Sequence, residues 1–182
     1  MVSIPESICN CTELSLVGFN NNNSQANYHL EIGNLAKLQL LRSLSKQFGW
    51  FYSYSIGMLT ALQTLDLSET SYLDLYHQKL ATLSSAYPPP NRLTGEIPST
   101  LTNLTNLTYL SLSFNLLTGS LPTEFGLHYN LKNLTASNNL LEGSIPSSIT
   151  NCSHLLVLTV AYNRITGKIP NGLGQLDNSF KV

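Results

Sequence analysis

The side chains in this sequence that could do chemistry are few and widely separated. The four histidines, His29, His77, His128 and His154, follow no spacing suited to a metal site or a catalytic pair, so we expect them in surface loops. The segment 167–174, GKIPNGLG, contains glycines typical of turns between strands and not of a phosphate-binding loop before a helix. No nucleophile elbow or kinase motif occurs. The sequence therefore predicts a chain that is not an enzyme and has no catalytic, metal or cofactor site.

Six asparagines stand in N-glycosylation sequons, and these are the sequence's other chemical feature. They are Asn10, Asn22, Asn103, Asn106, Asn133 and Asn151. Such sequons are surface sites in secreted proteins. Their density favours an extracellular parent protein, although repeats rich in Asn and Thr also generate sequons by chance.

Charge and hydropathy exclude several other classes of protein. Charged residues make up 10% of the 182 residues and the formal net charge is −1, which offers no electrostatic footprint for a nucleic acid. The N-terminus lacks the basic start and apolar block of a secretory signal. No apolar run approaches the ~20 residues needed to span a bilayer. We therefore expect neither a signal peptide nor a transmembrane segment in this chain, and no membrane insertion by it.

A repeat of 24 residues organises the chain. Asn115, Asn139 and Asn163 align at this spacing, and glycines, prolines and leucines align with them. The aligned positions are Gly119, Gly143 and Gly167; Pro122, Pro146 and Pro170; and Leu110, Leu134 and Leu158. The unit is LxxLxLxxNxLxGxIPxxLxxLxx, and a period of 20–29 residues with an LxxLxLxxN core is typical of a leucine-rich-repeat solenoid.

Each column of the repeat has a physical interpretation. Leucines two residues apart lie on the same face of a short strand, so successive turns would build a parallel sheet. The Asn is expected to close the turn after the strand, tolerating left-handed geometry. The Gly permits a positive φ, and the Pro restrains the next segment. The predicted fold is an α/β solenoid: a right-handed, horseshoe-shaped superhelix of about seven turns with the parallel sheet on its concave face.

The repeats divide the single predicted domain, 1–182, into two halves. Residues 91–176 contain regular 24-residue repeats, and 177–182 form a tail. Residues 1–90 keep the leading leucines of each unit but lose the trailing Gly and Pro. A phase break falls at 84–90, where three consecutive prolines replace the expected strand. Neither end resembles a cysteine-paired cap.

The cysteines fit the repeat and not a disulfide framework. Cys11 and Cys152 occupy an apolar column that also contains Leu35, Leu59 and Leu104, so both are predicted to be small buried hydrophobic residues. Cys9 is outside this column, and the sequence implies no partner for it.

The regular units carry a family resemblance. NRLTGEIPSTLTNLTNL, over 91–107, is similar to the plant extracellular subtype of leucine-rich repeat. Two longer segments, IPESICNCTELSLVGFNNNN and LTNLTNLTYLSLSFNLLTGSLPTEFGLHYNLKNLTASNNLLEGSIPSSITNCSHL, resemble the ectodomains of plant receptor kinases that sense flagellin. The resemblance implies a peptide or protein ligand, here a flagellin-type peptide, and a co-receptor kinase ectodomain as a second partner. It also implies a separate serine/threonine kinase domain outside this chain, and a role in innate immunity at the extracellular face of the plasma membrane.

The candidate ligand-binding residues are those on the concave face whose side chains alternate with the buried leucines. They are Asp66, Ser68, Tyr109, Ser111, Ser113, Phe114, Thr135, Ser137, Asn138, Thr159, Ala161 and Tyr162. Short polar side chains and a few aromatic rings suit an extended peptide. A plain solvated sheet surface would look the same. Two other functions stay open: an extracellular inhibitor of the polygalacturonase-inhibiting type, and a truncated relic without a function.

Overall fold

The structure is a computed structural model that describes residues 6–18, 30–42, 53–68 and 93–175. The sequon at Asn22, the predicted phase break at 84–90 and the tail at 177–182 lie outside the described residues. The described part contains short strands and single-turn helices arranged in successive coils.

Six strands form one parallel sheet in the order of the chain. They are β1 (Leu16–Gly18), β2 (Leu40–Arg42), β3 (Thr64–Asp66), β5 (Tyr109–Ser111), β7 (Asn133–Thr135) and β8 (Val157–Thr159). A second sheet pairs β4 (Thr94–Glu96) with β6 (Leu116–Thr118). Opposite the six-stranded sheet, one α-helix, α1 (Ser53–Gly57), and six 3-10 helices pack side by side: Glu6–Asn10, Leu30–Asn34, Ser99–Asn103, Thr123–Leu127, Ser147–Asn151 and Asn171–Gln175.

The register of the large sheet repeats the sequence period. Leu110 pairs with Leu134, and Leu134 pairs with Leu158. The less regular half obeys the same rule, since Val17 pairs with Leu41 and Leu41 with Leu65. The central residue of every strand in this sheet points into the interior and is at most 5% exposed. The predicted solenoid is confirmed, and its core is one continuous cluster that contains these residues together with the buried side chains of the helices and turns.

One coil is longer than the others. β3 pairs directly with β5, in the register Thr64 to Tyr109, so the peptide N–H of Tyr109 donates to the Gln63 carbonyl 3.1 Å away. The hydroxyl of Thr108 bonds the same carbonyl across a separation of 45 residues, where neighbouring coils are 24 apart. The strand ladder therefore continues from one half of the repeats into the other. The coil that begins with β3 is completed by β4, which pairs with β6.

The asparagines that recur every 24 residues bridge neighbouring coils; Asn115 and Asn139 are buried and Asn163 is half-buried. Asn139 Oδ1 accepts from the Leu117 N–H at 3.0 Å, and its Nδ2 donates to the carbonyls of Leu112 and Ala136 at 3.0 and 3.1 Å. Asn115 and Asn163 make the same kinds of bonds one coil before and one coil after. Each amide thus joins two or three coils through backbone groups that have no strand partner.

The prediction that these asparagines themselves take the left-handed conformation is wrong. The positive φ falls on the residue before each of them: 59° at Phe114, 58° at Asn138 and 54° at Tyr162. Because the Asn amide must turn inward to reach the backbone, the chain reverses direction one residue earlier. The glycine prediction is confirmed, with φ between 73° and 88° at Gly95, Gly119, Gly143 and Gly167.

Two of the residues singled out by the sequence, Cys11 and His128, have different environments from those predicted. Cys152 is buried as expected, but Cys11 is exposed; Cys9, for which no environment was predicted, is buried. Cys11 belongs to the first described coil, which has no described neighbour on its outer side. His128 is completely buried and not in a surface loop, because it occupies the column of Leu104 and Cys152.

Truncating a central leucine tests this core. Leu134 is fully buried on β7 between its partners Leu110 and Leu158. We expect Leu134→Ala to lower the free energy of unfolding by ~2–5 kcal/mol, because it removes transfer free energy and leaves a cavity between two coils. Urea unfolding, monitored by circular dichroism, measures this change in the free energy of unfolding. Leu127→Ala, at a side chain that is 55% exposed, is the control and should cost less than 1 kcal/mol by the same measure, about the size of a surface substitution.

Candidate ligand-binding site

The concave face presents two columns of small side chains, which flank the buried leucines. The first column consists of Ser111, Thr135 and Thr159, and the second of Ser113, Ser137 and Ala161. Both follow from the two-residue alternation of a strand, which turns these positions away from the core. Together they form the floor of an open groove of about 820 Å³.

Hydrogen bonds within the floor hold these hydroxyls in place. The Thr135 hydroxyl donates to Ser111 Oγ at 2.9 Å. The Ser113 hydroxyl oxygen accepts from the Ser137 N–H at 3.1 Å. Ser111 and Ser113 are buried, 4% and 7% exposed, so the floor is a fixed surface of small groups whose hydrogen-bonding capacity is partly used internally.

An ion pair links β2 and β3 on the concave sheet. The Asp66 carboxylate is 9% exposed and accepts from Arg42 Nε at 3.2 Å. Its other oxygen accepts from the Ser68 hydroxyl at 2.6 Å and from the Ser68 N–H at 3.2 Å. Asp66 and Ser68 therefore serve first to fix the strand end, and Asp66 is balanced by the neighbouring guanidinium.

A row of three larger side chains stands along the groove. Phe114, Asn138 and Tyr162 occupy the same column in successive coils, and all three have the left-handed backbone conformation. Phe114 and Asn138 are half-buried, whereas Tyr162 is 80% exposed. Asn adopts this conformation readily. For a bulky aromatic residue it is an outlier that costs ~1–3 kcal/mol.

Ten of the twelve predicted site residues line one groove. They are Ser68, Ser111, Ser113, Phe114, Thr135, Ser137, Asn138, Thr159, Ala161 and Tyr162. The other two, Tyr109 and Asp66, lie on the same sheet without lining the groove. Sequence reasoning missed the isoleucines that extend the groove at its C-terminal end, Ile145, Ile165 and Ile169. The repeat pattern could have identified these isoleucines, because they occupy apolar columns of the repeat in the last described coils. No residue lining the groove is charged.

The sequons fall on two parts of the surface. Asn10, Asn103, Asn106 and Asn151 are exposed on the coils outside the concave sheet. Asn133 is half-buried on β7, beside the candidate site. A glycan at Asn133 would obstruct the concave face, whereas glycans at the other four positions would leave it open.

A further polar ladder joins the coils on the edge that precedes the strands. Asn106 Nδ2 donates to the Thr60 carbonyl at 2.8 Å, and Asn130 Nδ2 to the Thr105 carbonyl at 3.2 Å. In the next coil His154 Nδ1 lies 2.8 Å from the Tyr129 carbonyl. A carbonyl only accepts, so His154 Nδ1 carries the proton in this contact. The ladder was not predicted, although its members recur every 24 residues.

Coils that repeat every 24 residues, with parallel strands on one face and asparagine amides that bridge neighbouring coils, define a leucine-rich-repeat solenoid. The Leucine Rich Repeat family profile matches residues 106–127, 130–152 and 154–176. The serine/threonine-protein kinase BRI1-like 1 of Arabidopsis thaliana is 32% identical over 117 residues, which are 60% of this chain and 10% of that protein.

Solved structures extend the likeness to the whole chain. The ectodomain of the Arabidopsis receptor kinase HAESA, in complex with an extended IDA peptide hormone ligand, superimposes with a TM-score of 0.76 at 27% identity, covering 98% of this chain and 27% of that one. The plant peptide hormone receptor RGFR1, in complex with RGF2, gives 0.74 at 30% identity, covering 97% and 25%. A plant ice-binding protein gives 0.73 at 28% identity, covering 92% and 47%.

The comparisons define a class of protein. The chain is a leucine-rich-repeat solenoid that closely matches the non-catalytic, ligand-binding ectodomains of plant receptor kinases. It spans about a tenth of the curated relative and about a quarter of the two receptor ectodomains. Among the described residues, no helix is long and apolar enough to cross a membrane, and no cluster of His, Cys, Asp or Glu could hold a metal ion.

Proposed function

We propose that this chain is a peptide-recognition segment of a plant cell-surface receptor kinase ectodomain, with the concave groove as its ligand site. The groove itself carries the proposal: ten candidate residues from four coils line one uncharged surface with a rigid floor. An extended peptide is suited to such a surface because its main chain bonds polar side chains while its own side chains occupy small pockets. The solved receptor ectodomains, two of them holding peptide ligands, support the same assignment.

We further propose an immune role, with a flagellin-type peptide as the ligand and a co-receptor kinase ectodomain as the second partner. The resemblance of the repeats to flagellin-sensing receptors supports this ligand. In the parent protein this segment would lie at the extracellular face of the plasma membrane, and the four exposed sequons outside the concave sheet agree with that location.

Calorimetric titration of the folded 182-residue chain with a flagellin N-terminal peptide tests the ligand. Thr159→Arg places a long cation on the groove floor and should abolish the heat of binding. Thr118→Arg is the matched control, since Thr118 has similar exposure on the second sheet, and it should bind as the wild type does. Absence of heat with the folded wild-type chain would remove flagellin as the ligand. Equal binding by both variants would remove the concave groove as the site.

A polygalacturonase titrated in parallel tests the alternative function, that of an extracellular polygalacturonase inhibitor.

A further inference from the structure

The row formed by Phe114, Asn138 and Tyr162 is the part of the concave face that the fold alone does not explain. The position requires a left-handed backbone, and Asn138 shows that an asparagine meets this requirement. Phe114 and Tyr162 occupy it with bulky rings, and the Tyr162 ring is largely exposed, so burial offsets little of its conformational cost. Strained residues of this kind cluster at ligand sites, where strain is retained for function.

The spacing of the two rings favours one backbone geometry for a ligand. Neighbouring coils are ~4.8 Å apart, so the positions of Phe114 and Tyr162, two coils apart, are separated by ~9.6 Å. In a polyproline II helix, residues three apart lie on the same face and are separated by about 9.3 Å, given a rise of 3.1 Å per residue. An extended strand does not match as well, because its same-face residues recur every ~6.8 Å.

We infer that the concave face binds an uncharged, proline-rich peptide lying across the strands. Two proline rings of this peptide, three residues apart, would pack against the rings of Phe114 and Tyr162. Aromatic grooves recognise such helices because the ligand is already ordered before it binds. Asn138 lies between the two rings, where its amide can donate to a peptide carbonyl that a polyproline II helix leaves without an internal partner. This inference rests on the proposed function as a peptide receptor and narrows its ligand.

A neutral oligosaccharide is the other ligand that aromatic rings could hold, and the floor argues against it. A sugar has hydroxyls on every side and needs many polar partners. Ser111 and Ser113 are buried, and their hydroxyl oxygens already accept from Thr135 and Ser137, so the floor presents few exposed polar partners. Apolar rings bound to Phe114 and Tyr162 need no such partners.

Fluorescence anisotropy with the full chain tests the inference. The probes are labelled, uncharged decapeptides that carry two prolines in an alanine and glutamine background, spaced two, three or four residues apart. The wild type should bind the three-residue spacing about tenfold more tightly than the other two. Phe114→Asn and Tyr162→Asn should each weaken this binding by about tenfold or more, as loss of an aromatic anchor does. Tyr129→Asn, at an exposed ring outside the groove, is the control and should leave binding unchanged.

The same variants separate a functional ring from a structural one. Phe114→Asn should raise the thermal midpoint by ~2–4 °C, because it relieves left-handed strain in a chain of this size. A lowered midpoint would show that the ring packs for stability and would overturn the inference. So would equal affinity for all three spacings, or tighter binding of a neutral glucan hexamer than of any peptide. A flagellin peptide that binds Phe114→Asn as it binds the wild type would overturn this inference while leaving the proposed function standing.

Discussion

Replacing Asn139 by alanine should lower the free energy of unfolding by ~2–6 kcal/mol, although the change removes only three heavy atoms. The Asn139 amide accepts from the Leu117 N–H and donates to the carbonyls of Leu112 and Ala136. It is only 7% exposed, so water cannot readily replace these bonds. The Leu117 N–H would lose its partner and stay buried, at a cost of about 1–3 kcal/mol. The two carbonyls would each keep one donor, Asn115 for Leu112 and Asn163 for Ala136, so each lost bond there costs about 0.5–1.5 kcal/mol. Urea unfolding monitored by circular dichroism measures the change.

Asn130→Ala is the matched control for this prediction. Asn130 also bridges two coils, but it is exposed, and its amide donates a single bond of 3.2 Å among the described residues, to the Thr105 carbonyl. Water can satisfy that carbonyl after the substitution, so the cost should be about 0.5–1 kcal/mol. Equal losses for the two variants would mean that the buried amide does not hold the coils together, and that burial of leucine alone sets their stability.

The 24-residue period was enough to predict the strands, their register and the buried leucines. It was also enough to place ten of the twelve candidate residues in one groove, because alternation along a strand decides which side chains face outward. These features depend on local spacing. Every coil repeats the same geometry, so a pattern read once applies to its neighbours.

Features that depend on contacts between distant segments were not predictable in this way. The sequence predicts a phase break at 84–90 and does not say which strands pair across it. In the structure β3 pairs with β5, and β4 pairs with β6. These pairings join residues 45 or 22 positions apart, so the local 24-residue spacing does not determine them. The left-handed residue was misplaced by one position for a similar reason, since the partners of Asn139 include the Leu112 carbonyl, 27 residues away.

His128 was predictable and was nevertheless missed. It follows Leu104 and precedes Cys152 by one full repeat, which places it in an apolar column. In the structure it is fully buried, and its ring lies 5.9 Å from that of Phe125, centre to centre. Neither ring nitrogen has a hydrogen-bond partner of normal geometry among the described residues. A titratable group in this position makes the stability of the solenoid sensitive to acid.

The effect of pH on stability follows from the direction of the pKa shift. Burial lowers the pKa of His128 from its ordinary 6.5, and the nearby Leu104 carbonyl opposes this only in part. The unfolded chain therefore binds a proton at this residue as the pH falls below 6.5, while the folded chain does not until its own lower pKa is reached. Between the two values, stability should fall with decreasing pH by up to about 1.4 kcal/mol per unit. The Cys152 thiol, whose pKa burial raises to about 11, stays neutral throughout this range.

His128→Leu isolates this contribution, because leucine already fills the column at Leu104. The variant should be more stable than the wild type by ~1–3 kcal/mol at pH 7, since it removes two buried ring nitrogens that lack partners. The difference should grow as the pH is lowered from 6.5, because only the wild type loses stability through this side chain. Urea unfolding of both proteins between pH 7.5 and 5 measures the difference, and His154→Leu controls for an exposed histidine. A constant difference between His128→Leu and the wild type across that range would show that His128 titrates equally in the folded and unfolded chains. Burial would then not govern its protonation.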